Sequence, residues 1–393
     1  MSDAMGVDVA PAGTLHRLAS LWGCDVTSAE MAQQLDQHDK LASFRRPVAV
    51  MNGLTVNLHL LLTAFYHPTP LRHKILIEDR AFPSDKYAVR SQVRRHGYDP
   101  DNSVLLLKRR PGEDIFRMED VLRTIRENAS SIAVIMIGGV HYMTGQKFDM
   151  EAITKVGHEA GCVVGFDLAH AVGNVKLELH NWNVDFACWC TYKYLNSGPG
   201  CIAGAFVNNR HILSHLPLLH GWWGNKPETR FHMQDTIDHA LGVNSLKLCN
   251  PPQMLVAMNR ASLDIFDQVS MDQLVQKQRL LTGYLELLIS LQLPEAEQIT
   301  PADPAQRGCQ LSFRFSNAHN IHAEMKRRGV ECDIRHGEAG SPNVMRLAPV
   351  PLYNSFTDVF RLVTILRQAF HRTNSSASEC TDSGSEISED LGL

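Results

Sequence analysis

From about residue 74 to residue 207, short apolar runs alternate with amphipathic stretches. A short apolar run between polar segments is typical of a buried strand, whereas apolar residues three or four positions apart indicate a helix. Stretches such as Met118–Glu127 and Met150–Ala160 have the helical spacing. The runs that predict strands are Lys74–Ile77, Val104–Leu107, Ser131–Ile137, Cys162–Phe166, Phe186–Cys190 and Ile202–Val207. This alternation predicts an α/β protein with right-handed βαβ units and a mainly parallel sheet flanked by helices.

The N-terminal segment has a helical pattern. Thr27 and Glu30 have the spacing of a capping box, and the helix they begin is expected to end before Pro47. A second apolar helix is predicted to begin at Leu54-Thr55.

The last third of the chain has a different pattern. One long helical stretch is predicted from Pro251-Pro252 to about Leu291. The elements predicted after it form a smaller α+β unit: strand Cys309–Phe315, helix Ala318–Arg328, strands Val330–Ile334 and Val344–Leu347, and helix Ser355–Phe370. We therefore predict four parts: an N-terminal helical segment (1–46), a large α/β domain (47–255), linking helices with a small α+β domain (256–372), and a disordered acidic, serine-rich tail (373–393).

Charge and cysteine content narrow the class of protein. The formal net charge is −4, and residues 373–393 carry five acids and no Lys or Arg, which leaves the body near neutral. Without a basic face, no nucleic-acid partner is expected. Nine cysteines occur without a Cys-x-x-Cys pair, so no metal site is predicted. No membrane span and no signal peptide is predicted, and a reducing, cytoplasmic setting fits best.

Two residues at strand ends indicate chemistry. Asp167 ends one predicted strand, and Lys193 follows the next one, at the edge of the sheet where ligands bind. Each alone has an ordinary explanation, as a cap or as a surface lysine. Together they suit pyridoxal phosphate, because the carboxylate keeps the pyridine nitrogen protonated and the lysine binds the aldehyde. The helix that begins at Leu54-Thr55 offers free backbone N–H groups to the phosphate.

Several segments, in order from about Leu15 to Phe370, resemble kynureninase. They are Asn52–His59, Ala81–Asp85, Gly165–Asn174, Asp185–Asn196, Gly221-Trp222, Asn250–Pro252, Arg307–Gln310 and Ala348–Phe356. Cysteine desulfurases share the Asp and Lys but not the Trp189–Asn196 block, and a desulfurase-like lyase would need a mobile nucleophilic cysteine that the sequence does not identify.

The resemblance implies a role for each matching residue. Lys193 would be the catalytic residue, joined covalently to the cofactor aldehyde, with Asp167 on the pyridinium and Phe82 against the ring. Arg346, with Asn250, would hold the substrate, and Asn250 and Trp222 would act across a dimer interface. The implied cofactor site is Leu54, Thr55, Phe82, Pro83, Ser84, Asp85, Asp167, His170, Tyr192, Lys193, Trp222 and Asn250.

The resemblance also implies an activity and a partner. The reaction would be hydrolytic Cβ–Cγ cleavage of kynurenine or 3-hydroxykynurenine to alanine and anthranilate or 3-hydroxyanthranilate. This chemistry belongs to tryptophan degradation and the biosynthesis of pyridine nucleotides. A homodimer is expected.

The sequence departs from the family pattern in three places. Between Arg46 and Pro47 the family carries several dozen more residues, including a Gly-Asn-Ser-Leu-Gly turn that is absent here. Gly138 replaces an expected serine, and Met143 replaces a phosphate-binding tyrosine, with Tyr142 next to it. Two hypotheses follow: an active kynureninase, or a catalytically impaired relative that keeps the fold and dimerises with a complete chain.

Overall fold

A computed structural model of the chain describes residues 11–28, 30, 31, 34, 48–211, 213–337 and 341–382. The chain divides into two compact units, Met1–Pro47 and Val48–Leu393. In the first, helix α1 spans Pro11–Trp22. The side chain of Ser28, rather than Thr27, accepts the Met31 amide proton, so the predicted cap is displaced by one residue. The predicted junction at Arg46 and Pro47 lies outside the described residues.

The second unit is built on a seven-stranded sheet, counted over the described residues, with strand order β1-β7-β6-β5-β4-β2-β3. Strands β2 to β6 are parallel, and β7 is antiparallel to β6 and to β1. The bounds are β1 Val48–Val50, α2 Leu54–Phe65, β2 Lys74–Glu78, α3 Pro83–Arg95, α4 Pro100–Ser103, β3 Val104–Leu107, α5 Met118–Glu127, β4 Ile132–Gly138, α6 Met150–Glu159, β5 Val163–Asp167, β6 Phe186–Trp189 and β7 Gly204–Val207. All six predicted strands are confirmed, whereas the edge strand β1 was not predicted.

Both faces of this sheet are covered, and strand β4 shows why its sequence is apolar throughout. Val134 and Met136 face one core, which contains residues of α2 and α3. Ile135 and Ile137 face the other, which contains residues of α5 and α6. Because successive side chains of a strand point to opposite faces, a strand buried on both sides reads as a continuous apolar run.

The remainder of the second unit contains an antiparallel sheet of order β10-β11-β9-β8. Its elements are α7 Gln253–Phe266, α8 Met271–Gln292, β8 Glu297–Gln298, β9 Leu311–Phe315, α9 Ala318–Arg327, β10 Asp333–Arg335, β11 Asn343–Leu347 and α10 Phe356–Asp382. Short 3-10 turns lie at Leu213–His215, Trp222–Gly224, Arg230–His232, Gly242–Leu246 and Pro304–Gln306.

Two features of this part correct the sequence-based assignment. The single helix predicted up to Leu291 is two helices, because Ser270 and Gln273 form a capping box that begins a new one. The last helix, α10, extends beyond the predicted start of the tail at residue 373, and residues 383–393 lie outside the described part. Within the described residues, no helix is both long and apolar enough to span a bilayer.

Candidate active site

A cleft opens at the carboxyl ends of the parallel strands, where three strands end on residues that line it. These are Glu78 on β2, Gly138 on β4 and Asp167 on β5. Gly138 and Asp167 are register partners. Lys193 comes shortly after β6 and lines the same cleft. The sheet therefore brings together residues that are far apart in sequence, as its parallel topology requires.

Lys193 lies between an imidazole and an aromatic ring. Its Nζ is 3.2 Å from Nε2 of His170 and 5.6 Å from the centre of the Phe82 ring. Burial and the nearby Lys193 charge hold the pKa of His170 well below its ordinary value, so the imidazole is neutral. A neutral imidazole at this distance can exchange a proton with the amine.

Two buried carboxyl groups face this lysine across the cleft. Asp167 is 9% exposed and its Oδ1 accepts the Ala169 amide proton at 2.7 Å. Asp85, on α3, is 6% exposed and is close enough to share a proton with Asp167. Burial raises the pKa of both groups, and the Asp167 charge raises that of Asp85 further, well above its ordinary range. Two buried carboxyl groups this close oppose ionisation of both at once, so the pair favours a shared proton.

The N-terminus of α2 forms another wall. Helix α2 begins at Leu54 after Gly53, without a side-chain cap. Thr55 Oγ1 is 2.8 Å from Ser84 Oγ, near the start of α3. Free N–H groups at a helix start, together with two hydroxyl groups, form a suitable site for an anion such as a phosphate group.

Most of the residues predicted for the site line this one cleft. They are Leu54, Thr55, Phe82, Ser84, Asp85, Asp167, His170, Tyr192 and Lys193. Four predicted residues are not among those that line it: Pro83, Trp222, Asn250 and Arg346.

The structure places these four residues in different surroundings. Pro83 is the first residue of α3. Trp222 is half exposed, and its Nε1 donates to the Arg230 carbonyl, while Asn250 is exposed. Arg346, on β11, is held by Asp333 through an Nε–Oδ2 bond of 2.6 Å, and its Nη1 donates to the carbonyl of Tyr142, a lining residue.

The sequence-based site omitted several lining residues: Glu78, Gly138, Val140, Tyr142 and Ala169. Tyr142 packs edge-on against Phe82, with ring centres 5.3 Å apart. The neighbouring Met143 points away from the cleft into a small apolar cluster. A signal for Glu78 was available, since an acid directly follows the apolar run of β2.

The fold and the cleft together define a fold-type-I architecture of the kind found in pyridoxal-phosphate enzymes. A cysteine desulfurase from Thermococcus onnurineus superimposes with a TM-score of 0.69 at 13% identity, covering 91% of this chain and 82% of that one. A cysteine desulfurase from Escherichia coli gives 0.69 at 17% identity, covering 94% and 88%. At these identities the likeness shows the fold alone.

Sequence comparison identifies the family. Kynureninase from Rattus norvegicus is 49% identical over 338 residues, which cover 84% of this chain and 72% of the relative. Kynureninase from Myxococcus xanthus is 50% identical over 323 residues, covering 81% and 74%. Residues 274–366 match the family model of the kynureninase C-terminal domain. The chain belongs to the kynureninase family, as the resemblance had implied.

Proposed function

We propose that this chain hydrolyses the Cβ–Cγ bond of L-kynurenine and 3-hydroxy-L-kynurenine, with pyridoxal 5′-phosphate as cofactor. The products are L-alanine and anthranilate or 3-hydroxyanthranilate. The observation that carries the proposal is the pairing of Lys193 and Asp167 in one cleft, in a chain about half identical to kynureninases. The catalytically impaired alternative has no supporting observation among the described residues.

The residues of the cleft fit the cofactor. Asp85 Oδ1 and His170 Nδ1 are buried without a hydrogen-bond partner in the described part of the chain. Buried polar atoms are rarely left unpaired, so these two favour a ligand that supplies partners. Lys193 would bind the aldehyde carbon and Asp167 the protonated ring nitrogen. Leu54, Thr55 and Ser84 would bind the phosphate, and Phe82 would cover the ring. When bound, pyridoxal phosphate supplies an electron sink for bonds at the substrate α-carbon.

The protein's own groups manage the protons. Lys193 would take and return the substrate α-proton through its Nζ, with the neutral His170 3.2 Å away. Asp85 is the member of the pair whose pKa is raised well above its ordinary range, so Asp167 would be the carboxylate offered to the ring nitrogen. A carboxylate in this place holds a positive charge on the ring nitrogen, which the reaction requires.

Substrate recognition involves the smaller sheet. Arg346 would bind the α-carboxylate of the substrate in a bidentate manner. It bonds now to Asp333 and to the Tyr142 carbonyl, so substrate binding includes an exchange of the Asp333 carboxylate for that of the substrate. Pro83, the first residue of α3, would complete the stretch that holds the ring.

The proposal includes the oligomeric state and the cellular location of the protein. Trp222 and Asn250 are exposed on the single chain, which supports a homodimer in which they complete the cleft of a second subunit. The protein acts in the cytoplasm, in tryptophan degradation leading to pyridine nucleotides. Sedimentation velocity tests the dimer, and a purely monomeric holoenzyme contradicts it.

Product formation tests the activity. The full chain is loaded with pyridoxal phosphate and given L-kynurenine, and anthranilate is followed by its fluorescence and alanine by amino-acid analysis. Equal amounts of both products are expected. Lys193→Ala should form neither, while the exposed Glu159→Gln on α6 should match the wild type. A loaded wild type that forms no anthranilate contradicts the proposed function.

A further inference from the structure

Glu78 is a buried acid in the cleft, outside the roles described above. It ends β2 and is only 4% exposed. Its Oε1 and Oε2 lie 3.2 and 3.4 Å from the Gly138 amide nitrogen, and Gly138 is the register partner of Asp167. A Cβ at Gly138 would lie 3.0 Å from Glu78 Oε1. The carboxylate therefore occupies space that the absence of a side chain at Gly138 leaves open.

The charges that face Glu78 are mostly negative. Asp167 on β5 and Asp85 on α3 are the two acids, and Lys86 on α3 is the cation that also faces it. Burial, followed by the Asp167 charge, raises the pKa of Glu78 to about 7. Its charge therefore changes within the physiological pH range.

The cluster also has an open acceptor. Asp85 Oδ1 is buried and has no hydrogen-bond partner among the described residues, and its side chain lines the cleft. Asp85 is itself one member of the pair, and its unpaired acceptor beside the Asp167 carboxyl group fits a cationic N–H donor, which is what a protonated pyridine ring presents. The unpaired Asp85 oxygen therefore indicates a bound ligand by itself, apart from the clustering of acidic residues.

We propose that Glu78 is a positioning residue of the cofactor cleft, whose carboxylate acts through the Asp85–Asp167 pair to control how tightly the cleft binds a protonated pyridine ring. The inference rests on the proposed function, because it needs pyridoxal phosphate as the ligand. Protonated Glu78 leaves the pair to hold the ring nitrogen alone. Ionised Glu78 adds a second negative charge to the same pocket and strengthens the attraction for the cationic ring.

The test compares two variants in a binding titration. The full chain is freed of cofactor, and the dissociation constant for pyridoxal phosphate is measured by its absorbance change from pH 5.5 to pH 8.5. Glu78→Gln keeps an acceptor for the Gly138 amide but carries no charge. Taking the ratio of its dissociation constant to that of the wild type cancels the titration of the cofactor phosphate. Glu159→Gln, an exposed residue of α6, is the matched control.

A charge effect has a distinctive pH profile. The ratio for Glu78→Gln should be close to one at pH 5.5 and rise roughly tenfold by pH 8.5, since one unit of pKa coupling corresponds to a factor of ten. The ratio for the control should stay at one. A purely structural role for Glu78 would give a ratio that does not change with pH, and this result contradicts the inference alone. A wild type that binds no pyridoxal phosphate at any pH contradicts both the inference and the proposed function.

A second variant covers the case in which Glu78→Gln does not fold. Gly138→Ala keeps the glutamate at position 78 but puts a Cβ 3.0 Å from its Oε1, so the carboxylate must move by a few tenths of an ångström. The midpoint of the pH profile for cofactor affinity should then shift relative to the wild type. An unchanged midpoint contradicts the inference.

Discussion

Replacing Glu78 with glutamine should make the cofactor-free protein less sensitive to rising pH. The raised pKa of Glu78, about 7 against an ordinary 4.5, is due first to burial. Between these two values the folded state keeps a proton that the unfolded state releases. The wild type therefore loses stability as pH rises through this window. Glu78→Gln does not lose this stability, because glutamine does not titrate.

The magnitude follows from the size of the shift. Each unit corresponds to about 1.4 kcal/mol, so the full difference from 4.5 to about 7 gives roughly 3 kcal/mol above pH 7. At pH 5 most of this loss has not yet developed, because ordinary glutamate is only partly ionised there. Between pH 5 and pH 8, the variant should gain about 2 to 3 kcal/mol over the wild type.

Urea unfolding followed by circular dichroism at pH 5, 6, 7 and 8 measures this difference. Equal m-values for the two proteins are needed before the free energies of unfolding are compared. Glu159→Gln should run parallel to the wild type at every pH. Parallel curves for Glu78→Gln and the wild type would show that Glu78 is ionised normally in the folded protein, and the charge argument would then be refuted.

Four further substitutions test other parts of the structure. Asp185→Asn should lower the free energy of unfolding by about 3 kcal/mol in urea titrations, because Asp185 is a buried acceptor for two histidines and an arginine; an unchanged midpoint would contradict this. Gly165→Ala should lower the free energy of unfolding by about 1 to 3 kcal/mol, because the added Cβ would clash with the Phe186 ring. Gly283→Ala on α8 is the contrasting substitution: its Cβ meets nothing within 4 Å, and it should raise the free energy of unfolding by about 1 kcal/mol. Thr55→Val should weaken pyridoxal-phosphate binding roughly tenfold in the absorbance titration, through loss of one hydrogen bond to a charged group, and equal affinity would remove Thr55 from the phosphate site.

Most strands of the central sheet could be predicted because strands such as β4, β6 and β7 are buried on both faces and therefore form continuous apolar runs in the sequence. Strand β1 could not, because it has three residues and depends on pairing with the distant β7. The break between α7 and α8 was missed because it contains neither Pro nor Gly, the residues that usually mark the end of a helix. The capping box at Ser270 and Gln273 is nevertheless present in the sequence.

For the site, Lys193 and Asp167 could be predicted because strand ends of a parallel sheet meet at one edge. Glu78 was missed because the local sequence shows an acid directly after the apolar run of β2 but does not show that this acid is buried in the cleft. Its burial depends on Gly138, sixty residues further along the chain. Contacts of this kind follow from the tertiary structure and leave no local pattern.

The proposed function assigns the cofactor to Lys193. To test this, the full chain is loaded with pyridoxal phosphate, reduced with borohydride and digested, and the modified lysine is located by mass spectrometry. One reduced pyridoxyl phosphate per chain is expected, attached to Lys193, and none in Lys193→Ala. A label found mainly on another lysine, such as Lys86, or an unlabelled wild type would contradict it.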